Sequence, residues 1–212
     1  MFGFLGSLVS GIANVLNVVV TKLVPGLIKI VGAALEKLST ALESFFKELG
    51  LIESEDHVEE IGDKALQAEQ DDLHPIKIED FDSHEKYLAA IKEYEVDAEK
   101  SALIPKDDKL HKALEILLGA AIARYGQPMS DFSQIVVSNP DFYSKAGRLD
   151  EFASLIRSDP KTFAEIVNYM ENKNLSTEKN DAAFDKLVEM EKKFNPDATD
   201  AEVWTAVSDM KK

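Results

Sequence analysis

The chain has 212 residues and a net charge of −15, with 39 acidic side chains against 24 basic ones and no cysteine. Disulfides and thiolate metal sites are thereby excluded, and so acidic a chain argues against nucleic acid, whose affinity rests on phosphate neutralisation. The excess is uneven: residues 1–50 set Lys22, Lys29, Lys37 and Lys47 against Glu36, Glu43 and Glu48, which leaves 20 basic and 36 acidic residues in 51–212.

No charged side chain precedes Lys22. Between Phe2 and Val24 the uncharged polar residues, Ser7, Ser10, Asn14, Asn17 and Thr21, fall in line with Gly3. Steps of four and three put them in one narrow stripe of a helix whose remaining sides are apolar. Such a helix needs apolar surroundings, either lipid or the interior of an oligomer. Its twenty-three residues span roughly 35 Å, a little more than the hydrocarbon core of about 30 Å. Small residues four apart (Gly3, Ser7 and Gly11) let helix backbones approach closely in lipid. The expectation is a self-association stripe of Gly3, Ser7, Ser10, Gly11, Asn14, Asn17 and Thr21. With no positive stretch ahead of it, the segment does not read as a secretory signal. If it spans a bilayer, Lys22 and Lys29 place the Pro25 end on the cytoplasmic side.

Val24-Pro25-Gly26 interrupts this helix and predicts a hinge at Pro25 and Gly26, joining either a helical hairpin or a kinked rod. A second helix follows over 27–49, stopped by Gly50. Its seam of Val31, Leu35, Leu38, Leu42, Phe45 and Leu49 suits a coiled or oligomeric contact, and its six charges make a second lipid span costly. Residues 51–74 read as an acidic helical linker, with nine acids and one lysine from Glu53 to Asp72, and 73–78 as an extended connector.

Residues 75–212 read as an acidic all-helical domain. Asp82-Ser83 with Glu85 caps a helix to about Lys100, and Asp107-Asp108 caps the strongest amphipathic helix, which ends at Gly126. Pro140 and Pro160 open short helices, another runs from Glu178 to Phe194, and Thr199 with Glu202 boxes the last. No segment alternates like a strand. The predicted class is all-α: a hydrophobic N-terminal helix or hairpin (1–50), a linker (51–74) and a multi-helix domain (75–212).

The chain has no glycine-rich phosphate loop, no paired histidines on a helix turn and no nucleophile elbow, so no catalytic, cofactor or metal site is assigned and a non-enzyme is expected. His57 with Glu60, and His111 with Asp107 or Asp108, share helix faces but read as solvated surface. Asp80, Asp82 and His84 alternate like a calcium loop, yet Glu85 stands where glycine is required. Phe194 and Trp204 read as core aromatics. The expected function is membrane activity or anchoring with self-association through the N-terminal helices. The alternative is a soluble structural component, such as a minor internal or tail-associated virion protein. Residues 1–50 would meet membrane lipid or sister subunits in a homo-oligomer, and the acidic domain a protein partner, with the chain at a membrane or inside a large assembly.

Overall fold

The computed structural model describes residues 13–145 and 147–211. Gly3, Ser7, Ser10 and Gly11 of the stripe lie outside the described residues. Every regular element among the described residues is helical. Helix α1 occupies 13–27 and α2 Gly32–Glu48. They are followed by α3 Val58–Glu69, α4 His84–Glu93, α5 Ala98–Leu103, α6 Lys106–Tyr125, α7 Gln127–Ser138 and α8 Pro140–Tyr143. The chain ends with α9 Arg148–Ser158, α10 Pro160–Met170, α11 Thr177–Phe194 and α12 Asp200–Asp209.

The middle of α1 widens into a π turn, Val19–Leu23, in which the Val24 N–H reaches back to the Val19 carbonyl. The helix then continues through Pro25 to Leu27. Proline lacks an N–H and its ring crowds the carbonyl four residues back, and a widened turn just ahead of it relieves both problems. The expected hinge at Pro25 and Gly26 is therefore corrected: both lie inside a helix, and the chain turns at 28–31, before Gly32 with φ +57°. The hairpin is corrected as well. Helix α1 lies on α6 and α7, whereas α2 packs chiefly on α6, α8 and α9.

Helix α2 ends where glycine was expected to stop it. Gly50 takes φ +64°, the Leu51 N–H returns to the Phe46 carbonyl and the Gly50 N–H to the Lys47 carbonyl. These are the two bonds of a Schellman cap. The seam residues Leu35, Leu38, Leu42, Phe45 and Leu49 are all buried against the rest of this chain. Val31 is the exception at 57% exposed, because it is the extended residue ahead of the first helical turn.

Helix α6 is the axis of the N-terminal half, flanked by α1, α2, α3, α4 and α7. Its closest neighbour is α3, which the acidic composition of 51–74 disguises as a linker. A Cβ on Gly62 of α3 would lie 1.7 Å from the Lys109 carbonyl oxygen of α6, so only glycine allows this approach. Asp63 beside it is buried, paired with Lys109 at 2.8 Å and bonded by Gln67 and Ser101. Acids from one segment thus meet a lysine far along the chain, and one buried apolar cluster runs without interruption from Val19 to Met210.

The helix expected over 82–100 breaks in two, because the Asp97 carboxylate caps α5 by accepting from the Glu99 and Lys100 N–H groups. Ile135, Val136 and Val137, a β-branched run, sit buried in α7. In the C-terminal half the Phe132 ring stands among Phe45, Tyr143, Phe152 and Phe163. Arg148 and Glu191 form a buried ion pair at 2.8 Å, with the guanidinium stacked 3.6 Å from the centre of the Phe142 ring. Thr199 and Glu202 make the expected capping box on α12. Trp204, expected in the core, is instead 58% exposed, its ring edge-on to Phe184.

Candidate functional site: the seat of the N-terminal helix

Helix α1 divides lengthwise. Val19, Leu23 and Leu27 are buried, and Val15, Leu16, Val18 and Val24 partly so. Asn14, Asn17 and Thr21, the described members of the predicted stripe, point outward with Val20. The Thr21 hydroxyl is turned back onto the Asn17 carbonyl at 2.5 Å, which satisfies it within the helix. The outward face is therefore mixed, with two amides and exposed apolar surface at Val20 and Ile28.

Two glycines let α1 sit close. Gly26 meets α7, where a Cβ would come 2.5 Å from Val137 Cγ1. Gly119 of α6 makes room for two side chains at once: a Cβ there would lie 3.2 Å from His84 Cδ2, 3.3 Å from His84 Nε2 and 3.6 Å from Val19 Cγ2. The imidazole of His84, at the start of α4, is thus wedged between the underside of α1 and the surface of α6. It is 3% exposed, and burial pushes its pKa below the ordinary histidine range against a smaller opposing pull from Glu85.

A small crevice of about 20 Å³ remains beneath Leu16 and Val19, shared by His84 and Glu115. Burial raises the Glu115 carboxyl above its usual range, Lys112 acts against that, and Glu69 adds to it. Lys112 Nζ lies 2.7 Å from Glu69 Oε1 and 3.9 Å from Glu115 Oε1. The Tyr87 hydroxyl donates to the same Glu69 oxygen at 2.8 Å, and burial together with Glu69 pushes its phenol upward.

Just past α1 the chain is pinned. His111 Nε2 donates to the Ile30 carbonyl at 2.9 Å, and the Gly32 N–H donates to Asp107 Oδ2 at 2.9 Å. Lys106 pairs with Glu36 at 2.8 Å. Asp107, expected to cap its own helix, instead caps α2.

Sequence reasoning placed Asn14, Asn17 and Thr21 on one face but did not find His84, Gly119, Glu115 or Val137. One signal for His84 was available: it stands three and four residues before Tyr87 and Leu88, on the face that α4 buries. His84, read from the sequence as part of a helix cap, is buried in the first turn after the Ser83 cap, whereas His57 and His74 are exposed and His111 is half-buried. Among the described residues no group of three or more histidine, aspartate or glutamate side chains is placed to hold a metal ion. Among them, too, no helix is long and apolar enough to cross a membrane. No protein-family model matches the chain, and neither does any curated protein or solved structure.

Proposed function

We propose that this is a non-enzymatic membrane-associating protein. Its N-terminal segment, residues 1–27, meets lipid and sister copies, and the acidic helical body that follows stays in water. The carrying observation is the charge-free stretch from Met1 to Thr21 that continues into α1. The one side of α1 that is not buried carries Asn14, Asn17, Val20 and Thr21. Small and amide-bearing positions at that spacing suit contact between copies in a low-dielectric medium, where interhelical hydrogen bonds hold helices together. The body's 36 acids against 20 bases repel anionic lipid and leave the N-terminal segment as the part suited to insert.

Flotation of the full chain with liposomes tests this, alongside Leu5→Glu/Leu8→Glu. Each glutamate placed near the bilayer centre costs up to about 3 kcal/mol, so the wild type floats and the double variant stays behind. A wild-type chain that remains wholly in the soluble fraction ends the proposal.

A second reading is favoured by one observation. The outward face of α1 pairs polar Asn14 and Asn17 with apolar Val20 and Ile28, a mixture that also suits a protein–protein contact in water. On that reading the chain is a structural subunit of a larger assembly. It forms a defined oligomer without detergent, and Asn14→Leu changes the copy number rather than lipid affinity.

A further inference from the structure

We propose that α1 is held by an acid-operated latch: the neutral imidazole of His84, wedged between Val19 of α1 and Gly119 of α6, keeps the helix seated, and its protonation releases it. The proposal rests on reading residues 1–27 as the lipid-facing part and supplies the regulation of that part.

The wedge is apolar on the α1 side, where Leu16 and Val19 cover the ring and Lys22 points to solvent. The His84 side chain has no hydrogen bond among the described residues. A neutral ring tolerates such a place, but an imidazolium there would have two N–H donors to satisfy in apolar surroundings. The charged groups that surround it come from three packed helices. On its own helix, Glu85 lies 3.9 Å from Arg124 Nε. On α3, Glu69 is taken by Lys112 and Tyr87. On α6, Lys112 is itself a cation and Glu115 shares the crevice.

When α1 lifts, His84 is rehydrated and its pKa returns towards 6.5, above the depressed value it has while covered. The released form therefore binds the proton more tightly, and release gains ground as pH falls below 6.5. Glu115 acts in the opposite sense, because a protonated carboxyl is easier to cover. Burial raises the covered Glu115 carboxyl, so the two groups oppose each other on acidification, and the His84 variants isolate the histidine's share. One linked proton shifts the equilibrium by at most about tenfold per pH unit.

Hydrogen-exchange protection of the amides in 15–27, corrected for intrinsic rates, is measured on the full chain near pH 7.5 and near pH 5.5. Wild type loses protection there by up to about tenfold on acidification, while α6 keeps its own. His84→Leu retains protection at both values, His84→Asn serves if the leucine disturbs the fold, and His57→Gln behaves as wild type. Unchanged protection in the wild type, or an equal loss in both His84 variants, overturns the latch. Flotation with phosphatidylglycerol/phosphatidylcholine vesicles at the two pH values separates the two claims. Release without flotation leaves the latch standing and ends the lipid reading; flotation without release does the reverse.

Discussion

Gly62→Ala gives a sharp test of how α3 meets α6. In an open helix this substitution is favourable by about 1 kcal/mol, since alanine is the better helix former. Here the new methyl would lie 1.7 Å from the Lys109 carbonyl oxygen, 2.6 Å from its carbonyl carbon and 3.1 Å from its Cα. The obstacle is backbone, so no rotamer change relieves it and the two helices must separate. Separation also stretches the buried 2.8 Å contact between Asp63 and Lys109. Overpacking of this kind costs about 1–3 kcal/mol and more where the neighbour is rigid, so a net loss of about 3 kcal/mol is expected. That is a large share of the ~5–15 kcal/mol that holds a domain together. Urea denaturation followed by circular dichroism measures it. An alanine variant as stable as wild type would refute the described approach of the two helices, and with it the inclusion of 51–74 in the core.

Arg148→Met alone should cost about 3–5 kcal/mol by stranding Glu191, whereas Arg148→Met/Glu191→Met should come within about 1 kcal/mol of wild type. The reason is that Arg148 Nε and Nη1 and Glu191 Oε2 find no hydrogen-bond partner among the described residues, and a double-mutant cycle by denaturation reads the difference. Gly26→Ala should loosen α1 by about 1–3 kcal/mol through its clash with Val137, and Val137→Ala in the same chain should recover most of the loss in local hydrogen exchange. The Asp63 carboxyl is held below its ordinary value by hydrogen bonds from Lys109, Ser101 and Gln67, against the opposing effect of burial. Its contribution to stability is therefore complete above the unfolded value of about 3.9 and fades as pH falls through the lower folded value. Asp63→Asn should be less stable at neutral pH and show a shallower fall below about pH 4, measured by thermal melts across the acid range.

The parts of this fold legible in the sequence are those set by local periodicity and capping. Leu35, Leu38, Leu42, Phe45 and Leu49 announce one face of α2, and Gly50 and the Thr199–Glu202 pair mark helix ends through chemistry confined to a few residues. What that face packs against was not legible, and Leu35 to Leu49 turn inward on this chain. The acids of 51–74 look solvated until Lys109 is brought to Asp63, a meeting that depends on the three-dimensional register of two helices 46 residues apart. Gly26 reads as a flexible joint for the same reason: the bulk of Val137, which explains it, lies more than a hundred residues away. The burial of His84 follows from its spacing to Tyr87 and Leu88, but the α1 and α6 surfaces that enclose it are set by tertiary packing.

The fastening at Ile30 and Gly32 has a mechanical corollary. With His111 gripping the carbonyl of one and Asp107 the amide of the other, the chain has a fulcrum there, bolted to the first turns of the central helix. Any movement of α1 would begin upstream of that point. Losing the seated segment would uncover its own Val19, Leu23 and Leu27 and the surfaces of α6 and α7 that they cover. On the proposed release, that anchorage would confine the change to the leading end of the chain.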